Sequence, residues 1–277
     1  MSYSAAIDRS NPSAFIFVID QSGSMDEKME TGQTKSEFVA DVLNKTLYQL
    51  VIRCTRADGV RNYFEVGVVA YGGSGIGSGF RGALGTGLLH PLAAIEANPL
   101  RVEERKKRVP DGAGGLVDQA VKFPVWFDPV SDGGTPMCEA LRQNAELMVQ
   151  WCDSHQKSYP PTVIHVTDGA STDGDPEQIA ETLKRISTED GQALLFNLHI
   201  STAGGEAIIF PASESVLPDA NSGMLFRMSS PLPPHLVSAA KEKYPAATSE
   251  SRFFGYKAGH EGIVDFFDIG TRASNLR

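Results

Sequence analysis

Four continuous apolar runs punctuate the chain: Ala14 to Ile19, Phe64 to Ala70, Thr162 to Val166 and Ala193 to Ile200. A strand with one wet face alternates apolar and polar residues. These runs do not, so they predict strands covered on both sides, as in a parallel sheet. Helical periodicity lies between them. From Phe38, the residues Val39, Val42, Leu43, Leu47, Leu50 and Val51 recur at spacings of three and four, predicting a helix with one buried stripe that reaches about Arg53. Met137, Leu141, Leu147, Met148 and Trp151 repeat the pattern behind Thr135 as N-cap and Pro136 at the first helical position. A third helix opens at Asp175, with Pro176 next and Gln178 three residues on, and Ile179, Leu183 and Ile186 form its apolar face. Strand, helix, strand in this order predicts right-handed crossovers and an α/β fold: a Rossmann-like, doubly wound, mostly parallel sheet.

Other segments lack a clean period. Gly72 to Gly87 is glycine-rich and reads as a mobile loop, and the stretch 92–132 reads as an insertion with one helix and an edge strand. From Ile208 on, Met224 to Met228 and Ile263 to Phe267 read as strands and Pro234 to about Lys243 as a helix. No linker-like composition divides the chain. The expectation is one domain over 1–277, with its core at about 14–200 and a C-terminal extension at about 208–277.

With 277 residues and 41% of them apolar, the chain can enclose a sizeable core, which excludes disorder as its bulk state. Its formal net charge of −9 leaves no positive surplus to neutralise phosphates. The basic cluster Arg105 to Arg108 follows Glu103 and Glu104 and reads as a solvated helix face, so nucleic acid and anionic membrane are not expected partners. No stretch approaches the roughly 20 apolar residues of a membrane span, and Met1 to Ser13 is polar, without the apolar region of an export signal. Cys54, Cys138 and Cys152 make an odd count with no C-x-x-C spacing, which points to reduced thiols and a cytoplasmic setting.

The first run ends in Asp20-Gln21-Ser22-Gly23-Ser24, at the carboxyl end of a predicted parallel strand, where open α/β sheets bind ligands. Two more loops converge on that edge: Gly133-Gly134-Thr135-Pro136 and Val166-Thr167-Asp168-Gly169-Ala170-Ser171. The side chains gathered are Asp20, Ser22, Ser24, Thr135 and Asp168, all oxygen-bearing, a set suited to a hard cation. Mg²⁺ fits, with Mn²⁺ or Ca²⁺ as substitutes. Two carboxylates leave positive charge and a coordination position unused, which an outside carboxylate can fill. Each element also has a plain structural reading. Asp20, Ser22 and Ser24 can form an Asx or Ser turn, Thr135 can cap its helix, and Asp168 before Gly169 can be a turn. Asp175 reads as an N-cap, while His165 and His199, inside apolar strands, read as neutral core histidines. His90, His155, His235 and His260 have no zinc spacing. Phe123, Trp126 and Phe127 read as packing the insertion against the sheet. Gly77-Ser78-Gly79-Phe80-Arg81-Gly82 matches G-x-G-x-x-G but starts too far past its strand to bind a dinucleotide, and Gly32-Gln33-Thr34-Lys35-Ser36 is not a phosphate-binding Walker loop.

Asp-x-Ser-x-Ser followed by a distant Thr and a distant Asp resembles the metal-ion-dependent adhesion site of the von Willebrand factor A (vWA) domain family, matched here in order by Asp20, Ser22, Ser24, Thr135 and Asp168. The resemblance covers about residues 14 to 200. It implies direct metal ligation by Ser22 and Ser24, direct or water-mediated ligation by Thr135, largely water-mediated roles for Asp20 and Asp168, and one antiparallel edge strand. A narrower likeness is to bacterial stand-alone vWA proteins of tellurite-resistance and stress operons, which accompany a protein kinase and a PP2C-type phosphatase. It rests on Ala57-Asp58-Gly59, Val66-Gly67-Val68-Val69-Ala70-Tyr71-Gly72 and Phe267-Asp268-Ile269-Gly270-Thr271-Arg272. The expected function is a non-catalytic, divalent-metal-dependent module that binds an acidic residue of a partner protein. The alternatives are a haloacid-dehalogenase-like phosphotransferase using Asp20, whose chemistry wants a second carboxylate where Ser22 stands, and a scaffold with a vestigial metal site.

Overall fold

The computed structural model of the chain describes residues 3–110, 115–258 and 260–270. The chain runs through β1 (Ser13–Asp20), α1 (Lys35–Cys54), a minimal hairpin of β2 (Thr55–Arg56) and β3 (Gly59–Val60), β4 (Phe64–Gly72), β5 (Gly75–Ser78), β6 (His90–Pro91) and α2 (Leu92–Ala97). A ribbon of β7 (Arg101–Pro110) and β8 (Leu116–Val125) leads to α3 (Met137–Ser154), β9 (Thr162–Thr167), α4 (Glu177–Arg185) and β10 (Leu194–His199). Then come β11 (Ile208–Ile209), α5 (Ala220–Met228), α6 (Pro234–Lys243), β12 (Phe254–Tyr256) and α7 (His260–Gly270).

The four apolar runs are β1, β4, β9 and β10. They lie in one sheet of order β11-β12-β10-β9-β1-β4-β5, with β6 also on β4. The five inner strands are parallel. β5 and β6 run antiparallel to β4, and β11 antiparallel to β12, so both edges carry an antiparallel strand where the resemblance implied one. Both faces of β1 are covered. Phe15, Phe17 and Ile19 pack with Leu43, Leu47 and Leu50 of α1, whereas Ile16 and Val18 pack with Met137, Leu141 and Met148 of α3. The chain leaves β1 for β4 on one side and later returns to β9 on the other. The strand order therefore reverses between β1 and β9, and in doubly wound sheets ligands bind beyond the carboxyl ends of the strands at such a switch point.

Several expectations need correction. The segment Gly72 to Gly87 is not a bare loop: it supplies β5 and a 3-10 turn at Gly82–Thr86. The insertion has its helix, α2, but no edge strand in the main sheet, because β7 and β8 pair only with each other. Arg105 lies on this ribbon and not on a helix; its guanidinium sits 3.8 Å from the centre of the Phe123 ring and 2.7 Å from Asp41 Oδ1. Phe123, Trp126 and Phe127 are buried, as expected of residues that pack the insertion. Asn44 of α1 clamps them: its Oδ1 accepts the Trp126 N–H at 2.8 Å and its Nδ2 donates to Phe127 O at 2.8 Å. Met224 to Met228 and Ile263 to Phe267 are helical, within α5 and α7. A short apolar run reads alike in a buried strand and a buried helix, and the capping box of Asp219 and Ser222 decides for helix in α5. Pro176, not Asp175, is the residue that precedes α4, but Asp175 still accepts the Glu177 N–H through its Oδ1 at 2.9 Å from one position further out. Of the Phe267–Arg272 motif, Thr271 and Arg272 lie outside the described residues, as do Met1 and Ser2 of the N-terminal segment. Among the described residues, no helix is long and apolar enough to cross a membrane.

Candidate metal centre

Asp20 ends β1 and is 1% exposed. Its Oδ1 accepts the Ser22 N–H at 2.8 Å and its Oδ2 accepts the Thr167 hydroxyl at 2.6 Å. The Ser22 and Ser24 hydroxyl oxygens lie 3.0 Å apart, and Ser24 donates to Asp168 Oδ1 at 2.9 Å. Four of the five expected residues are thereby joined at the switch point between β1 and β9.

Thr135 is brought to the same place by backbone. Gly23 N–H donates to Gly133 O at 2.9 Å and Asp132 N–H to Gln21 O at 2.7 Å, while Thr172 N–H donates to Thr135 O at 3.0 Å. The loop after β4 joins in: a Cβ on Gly133, whose φ is +66°, would lie 2.3 Å from Gly73 Cα, so this apposition requires glycine. Thr135 does not cap α3. Pro136 occupies the position before the helix, and Asp173 reaches across from the β9 loop to accept the Cys138 and Glu139 N–H groups, both at 2.9 Å. The Thr135 hydroxyl makes no hydrogen bond to protein among the described residues and keeps contact with solvent, while the residue as a whole is 6% exposed.

Burial pushes the Asp20 carboxyl above its usual range, against the Thr167 and Ser22 hydrogen bonds that pull it down, and Asp168 adds to the rise. Among the described residues Asp20 has no ion-pair partner. Asp168 does: Lys35 Nζ lies 3.1 Å from its Oδ2 and 2.5 Å from Glu27 Oε2. Burial works against the Lys35 charge, but Glu27 and Asp168 outweigh it and raise the ammonium above its ordinary value. Sequence reasoning missed Lys35 and Thr167. The signal for Lys35 was its place in the first turn of α1, where the helix dipole disfavours a cation unless an acid meets it.

Behind the site runs a second polar group, buried from the sheet out to the end of α5. The Tyr71 hydroxyl and His165 Nε2 are 2.8 Å apart, His165 Nδ1 and Asn197 Oδ1 2.8 Å, and Asn197 Nδ2 donates to Ser229 Oγ at 2.9 Å. Ser229 then donates to Leu225 O at 2.8 Å. Because Oδ1 can only accept, Nδ1 carries the proton and Tyr71 donates to Nε2, so His165 is the neutral core histidine expected. Burial lowers its pKa to about 4. His199 is buried too, its Nε2 2.9 Å from Asp168 O.

Does this set fit a hard cation? Octahedral ligation at about 2.0–2.1 Å puts adjacent oxygens about 2.9 Å apart. The Ser22–Ser24 and Ser24–Asp168 separations, 3.0 and 2.9 Å, match that edge. Hydrogen bonds have the same length, so the spacing permits a cation without requiring one. No group of three or more His, Cys, Asp or Glu that could hold a metal occurs among the described residues; the side chains gathered here offer hydroxyl and carboxylate oxygen, the donors that hard cations prefer.

No family model matches the chain, and no curated protein matches it. Among solved structures it is similar to the pilus adhesin SpaC from Lactobacillus rhamnosus GG, with 13% identity, a TM-score of 0.48, and coverage of 98% of this chain and 31% of that one. The vWF domain of the type V pili tip protein Mfa5 from Porphyromonas gingivalis matches at 14% identity and a TM-score of 0.30, over 58% of this chain and 39% of that one. The pilus adhesin RrgA from Streptococcus pneumoniae matches at 15% identity and a TM-score of 0.33, over 61% of this chain and 22% of that one. This chain thus spans about a third of the length of the first two, and less of the third. Such scores add nothing to the strand order, which by itself defines a doubly wound, mostly parallel α/β sheet.

Proposed function

We propose that this chain is a non-catalytic interaction module of vWA type that holds Mg²⁺, or Mn²⁺ or Ca²⁺ in its place, at the β1–β9 switch point and uses it to bind a Glu or Asp of a partner protein. Ser22, Ser24 and Thr135 would hold the ion, with Asp20 and Asp168 balancing its charge. When bound, the ion supplies a Lewis-acidic position that an external carboxylate can occupy. The observation that carries this reading is Asp20: a carboxylate 1% exposed, with two hydrogen bonds and no cation partner among the described residues, at the start of the loop that carries the Ser22–Ser24 hydroxyl pair. A buried, unpaired charge is costly, and a cation in the adjoining hydroxyl set offsets that cost.

The same geometry disfavours the phosphotransferase alternative. Both Asp20 oxygens are engaged by hydrogen bonds, and Ser22 stands where that chemistry needs an acid/base carboxylate. The resemblance to stand-alone bacterial vWA proteins supports a stress-response or phospho-signalling complex, with a protein kinase or PP2C-type phosphatase as partner. Three free, buried cysteines support a cytoplasmic setting for it.

Thermal unfolding and calorimetric titration with MgCl₂ test the metal, comparing the natural chain with Asp20→Ala. The natural chain should gain about 2.7 kcal/mol at a hundredfold excess over Kd and lose it in EDTA, while Asp20→Ala should not respond. Partner capture should likewise vanish in EDTA. Capture that persists in chelator would leave a scaffold with a vestigial site.

A further inference from the structure

Lys35 is an unusual neighbour for a cation centre. It is 5% exposed, and its backbone N–H donates to Glu27 O at 3.0 Å while its ammonium bridges Glu27 and Asp168. Glu27 is itself fixed by the Thr202 hydroxyl, which donates to its Oε1 at 2.7 Å. The positive charge is therefore held from several directions. It lies on one oxygen of Asp168, whose other oxygen takes the Ser24 hydroxyl.

We propose that Lys35 is a built-in competitor for the Asp168 carboxylate that sets the metal affinity of the site low, with Glu27 as the counterweight that limits how strongly it competes. The inference rests on the metal-dependent reading above. With Asp168 already neutralised, Asp20 is the one carboxylate left wholly to an incoming divalent ion. The ammonium also repels that ion through a single intervening carboxylate, in a setting screened less than open solvent. Glu27, with a side chain 55% exposed, draws part of the ammonium's charge the other way.

Two substitutions at this one ion pair should move affinity in opposite directions, which a merely structural role would not do. Mn²⁺ binding is measured by calorimetry and by electron paramagnetic resonance on the natural full chain, Lys35→Met and Glu27→Gln, with metal-free thermal unfolding as the check on folding. Lys35→Met should bind Mn²⁺ about tenfold more tightly, and Glu27→Gln about threefold more weakly. Equal affinity in all three chains, or weakening in both variants, overturns the role of Lys35 while leaving the metal centre standing. Failure of the natural chain and both variants to take up Mn²⁺ overturns the metal centre and this inference with it. If Lys35→Met does not fold, the Glu27→Gln arm decides alone: unchanged or tighter binding there refutes the counterweight.

Discussion

Two polar groups sit side by side at β1 and β9, and they are built to opposite ends. In the chain from Tyr71 through His165 and Asn197 to Ser229, each step has a donor and an acceptor, and the last hydroxyl closes on a helix carbonyl. In the group from Asp20 through Ser22 and Ser24 to Asp168, the set does not close. One carboxylate lacks a counter-charge, and Thr135 presents an unused hydroxyl. Burial differs as well: the inner chain is wholly buried, whereas Ser24 is exposed and Asp168 half-buried, so the open group reaches the surface at one end. Closure and access go together: a polar network satisfied from within fixes the core, and one left open at the surface calls for something from outside.

The inner chain yields the largest expected effect. Burial keeps His165 neutral in the folded state down to about pH 4, whereas in the unfolded chain it protonates near pH 6.5. Between those values the unfolded state binds more protons, so stability rises with pH: the contribution is present in full above about 6.5 and is lost progressively as pH falls toward 4. The span is on the order of 3 kcal/mol. Urea unfolding across this window, compared with His165→Gln, isolates it from His199 and His235, which burial also depresses. Equal pH slopes in both proteins would mean that the closed network does not hold His165 neutral, and one side of the comparison would fall.

A smaller effect follows from opening the closed chain deliberately. Asn197→Leu removes the acceptor of His165 Nδ1–H and the donor to Ser229, and should cost about 2 kcal/mol in urea unfolding. Mn²⁺ affinity should stay as it was, because no link of this chain ligates. A fall in affinity as large as the fall in stability would merge the two groups into one.

The two groups were also unequally legible from sequence, for the same physical reasons. Asp20, Ser22 and Ser24 are local in the chain, and Thr135 and Asp168 follow strands or precede helices whose apolar patterns are plain. The partners of Asp20 and Asp168 were not legible, since Thr167 is 147 positions from Asp20 and Lys35 is 133 from Asp168. The parallel strands could be read because two-sided burial leaves continuous apolar runs. The β7–β8 ribbon could not, since most of its described side chains are exposed and among them no buried face marks a period of two. His165 could be read as a core histidine because it interrupts such a run, but its link to Tyr71 across the sheet has no counterpart in local pattern.

The smallest effect probes the open group at its least structural member. If the Thr135 hydroxyl stands ready for a cation and takes no part in the fold, Thr135→Val should leave metal-free stability within about 0.5 kcal/mol, since it removes no hydrogen bond and nearly preserves shape. The capping of α3 should persist as well, because Asp173 provides it. Mn²⁺ affinity should nonetheless fall about tenfold, or about 1.4 kcal/mol, with the loss of one of three hydroxyl ligands. The pairing of these two measurements matters more than either value. A variant that loses stability without metal would show Thr135 to be closed within the fold like Asn197. A variant that loses neither stability nor affinity would leave the hydroxyl without a role in the cation set, and the open group would reduce to the loops after β1 and β9 alone.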